Sequence, residues 1–192
     1  MLDQSGWVLV GGNSSRFGRD KAFADWYGKP MALHVADLVR AAAGSVTLVG
    51  DPQKYGVLGL SVISDSIQGI GPTGGLLAAL DATSTKRNLV IACDMPHLNE
   101  AFMRFLLERA YDSGADVVLP VDADDLLQPL CAVYATTARE SIRTAVKNGE
   151  KKLTKTFHGL RVEHIETKDY ASFNEDGKLF TNVNYIEDLK AD

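Results

Sequence analysis

The chain has 192 residues, of which 45% are hydrophobic and 23% charged, and carries a net charge of -5. That length suits one domain spanning 1–192 with a full core, and the acidic balance excludes a general nucleic-acid binder, whose footprint would be basic. No apolar run approaches the roughly 18 residues of a membrane-spanning helix, so neither nucleic acid nor membrane is expected as a partner.

Taken in order, Trp7–Val10 reads as a buried strand, and the segment from Gly11 to Lys21 as a phosphate-type loop. A helix is predicted from Pro30 to Ala43, with Pro30 at its first position and Gly44 as its stop. Val46–Val49 is the next strand, followed by a polar turn over Gly50–Lys54 and a short strand at Ser61–Ser64. Thr73–Leu80 reads as a small helix after Gly71 and Pro72, and Leu89–Cys93 as a third buried strand ending at Asp94. Asn99 can cap a helix reaching Tyr111. Val117–Pro120 and Leu130–Tyr134 read as strands, and Thr136–Lys147 as a helix. Strands separated by helices predict a single-domain, doubly wound α/β fold with a mostly parallel sheet.

The absence of a charged n-region followed by an apolar stretch and a cleavage site predicts a cytoplasmic protein. Cys93 and Cys131 sit in apolar runs and are expected to be buried and reduced. His34, His97, His158 and His164 lack ligand spacing with the cysteines, so a zinc site is not expected.

The stretch W-V-L-V-G-G-N-S-S-R-F-G-R-D-K-A (Trp7–Ala22) carries the chemistry. Gly11 and Gly12 let the backbone approach an anion closely. Amides from Gly12 to Arg16 can form an anion-binding concavity, with Arg16, Arg19 and Lys21 around it. The spacing is neither G-x-x-x-x-G-K-[ST] nor G-x-G-x-x-G. In an open α/β sheet ligands bind beyond the carboxyl ends of the strands. Asp65 and Asp94 both follow predicted strands, as does the glycine loop. Asp94 is suited to Mg²⁺, which takes one or two carboxylates plus phosphate oxygens and water. A plain strand-ending aspartate before Pro96 is the alternative for it.

The form [LV]-x-G-G-x-S-x-R-[FM]-G-x-D-K resembles the signature loop of the molybdenum cofactor guanylyltransferases, within the nucleotidyltransferases of dinucleotide-binding-like fold. C-D-M-P at Asp94 looks like the family's C-D-x-P, and Asp65, Gly69, Gly71 and Pro72 resemble its D-x-x-x-G-x-G-P segment. Gln128–Tyr134 is similar to its x-P-x-x-A-x-Y strand, and Phe180–Leu189 to its F-x-N-V-N-T-P-E-D-L ending. Thr73 and Gly74 depart from the family's leucine and its neighbour, Gly50–Asp51–Pro52 from an asparagine, and Tyr185–Ile186 from Thr-Pro. The resemblance implies transfer of GMP from GTP to the terminal phosphate of molybdopterin carrying molybdenum, with release of pyrophosphate. It implies GTP contacts from Leu9, Val10, Gly11, Gly12, Ser14, Lys21, Asp65 and Asp94. Arg16, Lys21 and Asp94 become the catalytic residues, and Asp94 the ligand of Mg²⁺, with Mn²⁺ as the alternative.

Asn182 and Asn184 could orient the acceptor phosphate or simply stabilise a turn. Lys151, Lys152 and Lys155 could meet a phosphorylated acceptor or face water. Asp122, Asp124 and Asp125 read as a solvated loop tip, and His97 as structural. Proteins that deliver or receive the cofactor are left open. So are cytidylyl or sugar-phosphate nucleotidyl transfer, and a nucleotide-binding regulatory module without turnover.

Overall fold

The computed structural model describes residues 3–11, 20–65, 67 and 69–183. Its main sheet is built from β1 (Gln4–Leu9), β4 (Thr47–Val49), β5 (Val62–Ile63), β6 (Arg87–Ala92), β7 (Val117–Pro120), β8 (Cys131–Ala135) and β9 (Val162–Ile165). The spatial order is β5-β4-β1-β6-β8-β7-β9. Pairing is parallel for β5–β4, β4–β1, β1–β6 and β7–β9. It is antiparallel where β8 meets β6 and β7. β8 therefore runs against its six companions, and the other strands end at the same edge of the sheet. The mostly parallel α/β expectation holds.

Helices cover both faces. α1 (Met31–Ala43) and α4 (Glu100–Ser113) pack on one face, α3 (Pro72–Ala82) and α5 (Arg139–Lys147) on the other. Alternate residues of β1 feed the two cores: Val8 joins the α1–α4 side, and Trp7 and Leu9 the α3–α5 side. A strand buried on both faces must be continuously apolar, which is why Trp7–Val10 reads so clearly. Gly44 ends α1 in the left-handed conformation at φ 80° and returns its amide to Arg40, as a helix C-terminus prefers. Asn99 caps α4 by accepting from the Phe102 amide at 2.9 Å, a contact of about 1 kcal/mol.

Several boundaries are corrected. Pro30 precedes α1 as its N-cap instead of opening it; with ψ at 130° it is extended and pairs within a small hairpin of β2 (Asp25–Trp26) and β3 (Lys29–Pro30). The polar turn after β4 contains a one-turn helix, α2 (Pro52–Tyr55), because the Asp51 carboxylate accepts the Gln53 amide at 2.9 Å and Pro52 fits a first helical position. The helix expected over Thr136–Lys147 opens as a 3-10 turn, Thr136–Ala138, before α5. The third buried strand ends at Ala92, not Cys93. β9 and the hairpin were not anticipated; both are short, and in Val162–Ile165 the adjacent Glu163 and His164 break the alternation that would mark a strand. The last α-helix among the described residues, α6 (Thr167–Tyr170), opens with a capping box from Glu166 and Asp169.

A buried polar seam ties the centre of the sheet. Asn88, fully buried, accepts from Trp7 Nε1 at 3.1 Å and donates to the Tyr134 carbonyl at 3.3 Å and Thr136 Oγ1 at 3.1 Å. β1, β6 and β8 are thereby linked through one side chain. Cys93 and Cys131 are free and buried.

Candidate active site

A cavity of about 1050 Å³ opens at the carboxyl ends of β1, β4, β5 and β6. Leu9, Val10 and Gly11 form one wall, Gly50–Pro52 with Lys54 and Tyr55 a second, Asp65 with Gly69, Gly71, Pro72 and Gly75 a third, and Cys93 with Asp94 the fourth. Lys21 and Asp20 stand on the same rim. The strand-edge argument from the sequence thus brings together Leu9, Val10, Gly11, Lys21, Asp65 and Asp94. Gly12, Ser14 and Arg16 lie outside the described residues, as does Asn184.

Asp94 emerges two residues after β6. The Cys93 amide still donates to the Leu9 carbonyl at 3.1 Å, so the sheet holds the chain until Asp94 turns out. Its Oδ2 meets Lys21 Nζ at 3.3 Å, with the side chains 27% and 17% exposed. A cation and a carboxylate thus share the mouth of the cavity while both keep access to solvent. The Asp94 carbonyl accepts from the Val183 amide at 2.9 Å. Val183 is buried with Ala24, Trp26 and Met31. The C-terminal segment is in this way seated beside Asp94.

Lys21 owes its place to Asp20. The Asp20 carboxylate accepts the Ala22 amide at 2.9 Å and opens the 3-10 helix Lys21–Phe23. It also accepts Tyr55 Oη at 2.7 Å and pairs with Lys54 Nζ at 2.5 Å. Burial pushes this carboxyl up, but the donors from Lys54, Tyr55 and Ala22 outweigh it and hold it below the ordinary value. Burial and the Asp20 carboxylate raise the Tyr55 phenol far above its usual range. Burial, reinforced by Asp94 and Asp20, pushes the Cys93 thiol up to about 12, so it is a neutral wall and no nucleophile.

Asp65 follows β5 and accepts the Ile67 amide at 3.0 Å. Its carboxylate lies against the first turn of α3. A Cβ built on Gly74 would fall 2.5 Å from Asp65 Oδ1 and 2.5 Å from the Ile67 carbonyl oxygen. Glycine at 74 is a requirement of this close approach, a role that its departure from the family pattern concealed.

Other candidates separate from the cavity. Asn182 is exposed, next to the anchored Val183, and outside the cavity lining. Lys151, Lys152 and Lys155 are exposed. The Asp122 carboxylate accepts the Asp124 and Leu126 amides, both at 2.9 Å, and Gln128 Nε2 at 2.6 Å. It therefore organises the loop rather than sitting idle at its tip. His97 packs edge-on to Trp26 at 5.1 Å. The sequence reading missed Asp20, Lys54 and Tyr55. Asp20 was visible as the carboxylate beside Lys21, but Tyr55, 34 residues further along than Lys21, had no local signal.

Asp94 suits a divalent cation: it offers hard oxygens to the cavity while Lys21 leaves it part-exposed. Among the described residues no group of three or more His, Cys, Asp or Glu is placed to hold an ion. A metal at Asp94 would take its remaining ligands from phosphate and water, as Mg²⁺ commonly does.

Residues 6–164 match the model of the MobA-like NTP transferase domain. The chain is 32% identical over 190 residues to a probable molybdenum cofactor guanylyltransferase of Pelotomaculum thermopropionicum, covering 98% of this chain and 91% of that one. It is 32% identical over 191 residues to a protein of the same description from Pyrococcus furiosus, covering 96% and 94%. The crystal structure of molybdopterin-guanine dinucleotide biosynthesis protein A from Archaeoglobus fulgidus superposes with a TM-score of 0.84 at 26% identity, covering 97% of this chain and 95% of that one. The mostly parallel α/β sheet superposes on that structure over nearly its whole length, and the chain belongs to the MobA-like NTP transferase domain family.

Proposed function

We propose that the chain, acting as one domain in the cytoplasm, transfers GMP from GTP to the terminal phosphate of molybdopterin carrying molybdenum. The products are the guanine dinucleotide cofactor and pyrophosphate. The observation that carries the reading is the Lys21–Asp94 pair at the mouth of the cavity, in a chain whose relatives bear the guanylyltransferase description over nearly their full length.

An acceptor phosphate oxygen attacks the α-phosphorus of GTP, and the bond from that phosphorus to the bridging oxygen of the β-phosphate breaks. The electron pair leaves with pyrophosphate. The attacking oxygen is already ionised, so no strong base is needed, and positioning and charge stabilisation dominate. Lys21 meets the charge that develops on the leaving pyrophosphate, and Arg16 is assigned to the same task. Leu9, Val10, Gly11, Gly12 and Ser14 line the phosphate path, and Asp65 holds the nucleoside end. Mg²⁺, which Asp94 would hold, supplies charge neutralisation on the phosphates. Asn182 and Asn184 orient the acceptor.

The test is incubation with molybdopterin, Mg²⁺ and each nucleoside triphosphate in turn, following pyrophosphate and the dinucleotide formed. Pyrophosphate release with GTP, far above that with ATP or CTP, is expected. Equal use of CTP would replace guanylyl by cytidylyl transfer, and no acceptor-dependent release with any nucleotide would remove the enzymatic reading. Replacing Mg²⁺ by Mn²⁺ in the same assay settles the metal preference.

A further inference from the structure

The two described residues that flank segment 12–19, Gly11 and Asp20, both meet one tyrosine. Tyr55 is 2% exposed. Its hydroxyl donates to Asp20 at 2.7 Å, and a Cβ built on Gly11 would lie 3.3 Å from the same oxygen. Its ring stacks on Phe23, two residues beyond Lys21, with centroids 5.8 Å apart and planes at 14°. A Cβ on Gly50 would come within 2.9 Å of that ring. The tyrosine is wedged between the end of β4, the exit of β1 and the 3-10 turn that begins with Lys21.

We propose that Tyr55 and Asp20 are positioning residues for the phosphate site: the phenol fixes Gly11 and Asp20 relative to each other and thereby sets where Lys21 stands opposite Asp94. Burial of an aromatic hydroxyl beside a carboxylate is costly unless the pair is made. The contact is thus a strong constraint on a short stretch of backbone. Lys54 adds charge to Asp20 from a half-exposed position, whereas the Tyr55 hydroxyl acts from the interior. A displacement of about 1 Å in a charged catalytic group can cost about a hundredfold in rate, so a device of this kind has functional weight through the position of Lys21. The proposal rests on the reading that Lys21 serves the phosphates of a nucleoside triphosphate.

Tyr55→Phe is the diagnostic change, since it keeps the ring and its stacking and removes one oxygen. Binding of inorganic pyrophosphate with Mg²⁺ is measured by calorimetry, alongside kcat and KM for GTP, in a double-mutant cycle with Lys21→Ala. Tyr55→Phe should weaken pyrophosphate about tenfold and lower kcat by a similar factor, yet change either by less than about twofold once Lys21 is absent. Thermal unfolding of the single variant identifies a global loss of fold, and Asp20→Asn, which removes the acceptor charge from the other side, then serves as the second arm. Equal losses in the presence and absence of Lys21 would reduce Tyr55 to a packing residue. Normal pyrophosphate binding and kcat in Tyr55→Phe, with Lys21→Ala impaired, overturns the positioning proposal alone. No effect of Lys21→Ala on either quantity overturns the reading of Lys21 and the proposal with it.

Discussion

The two halves of the sheet end at the same edge but are finished differently. On one side, β5, β4, β1 and β6 deliver Asp65, the wall from Gly50 to Tyr55, Gly11 and Asp94 to a common cavity. Their polar groups lean on one another across it: Lys21 on Asp94, Tyr55 and Lys54 on Asp20. On the other side, the turn between β7 and β8 is closed on itself. Asp122 spends its carboxylate on Asp124, Leu126 and Gln128, and the Tyr134 hydroxyl donates to the Pro129 carbonyl at 2.6 Å. Leu130 is this half's contribution to the cavity among the described residues. The difference teaches that the parallel half turns charged groups toward a cavity, while the half containing β8 shapes its border with groups already satisfied.

The sharpest way to break that comparison is to remove charge from the parallel half. Asp94→Asn keeps the side-chain size and should leave the fold intact while turnover falls by about 10²–10³. Lys21→Ala should cost a similar factor. Titrating Mg²⁺ against turnover in both proteins checks the assignment. A variant at position 94 with the wild-type metal dependence would return Asp94 to a structural aspartate.

The seam between the halves predicts the opposite pattern. Asn88→Leu leaves the buried Trp7 indole N–H without its partner, at about 1–3 kcal/mol for the stranded donor, while the Thr136 hydroxyl keeps its bond to the Thr85 carbonyl. For a chain of this size that corresponds to a fall in melting temperature of roughly 2–12 °C. The KM for GTP should be unchanged, because Asn88 lies at the far end of β6 from the cavity. A melting temperature within about 2 °C of wild type, on the same scale, would show that the seam contributes little.

Gly74→Ala sharpens the comparison inside the nucleotide half. Alanine normally favours a helix over glycine by about 1 kcal/mol, so a stability gain is the default. Here the new methyl would meet Asp65 Oδ1 and the Ile67 carbonyl at 2.5 Å, which forces the backbone or the carboxylate to move. The variant should lose about 1–3 kcal/mol by overpacking, and its KM for GTP should rise several-fold with kcat less affected. Greater stability in chemical denaturation, with an unchanged KM, would remove Asp65 from the nucleotide wall.

How much was readable in advance follows the same division. Buried parallel strands such as Trp7–Val10 are continuous apolar runs, and residues just past them fall at the ligand edge for topological reasons, so Asp65 and Asp94 could be placed from the sequence. α1 and α4 announced themselves by Gly44 and Asn99. The reversal of β8 had no such signal, because Leu130–Tyr134 is apolar whichever way it runs and strand direction is decided by pairing. β9 was too short and too polar to stand out. Tyr55 and Gly74 were hidden for another reason: each acts through a partner distant in sequence or by lacking a side chain, and neither leaves a local pattern.

The smallest expected effect is the acid response of Asp20. Its carboxyl is held below the ordinary aspartate value, since the donors from Lys54, Tyr55 and Ala22 outweigh the burial that opposes them. A group whose folded-state value is depressed stabilises the fold when ionised, and that contribution is lost as pH falls through the folded value. Asp20→Asn should therefore be less stable than wild type at neutral pH, with the gap closing once the pH drops below the carboxylate range, under about 3. Urea midpoints for both proteins at a series of pH values measure it. The gap should be modest, because Lys54 is half exposed and its pairing is screened by solvent. A gap that stays constant down to the lowest pH would mean that the aspartate contributes through shape alone, and that the charge joining Lys54 of α2 to Asp20 does not stabilise the parallel half.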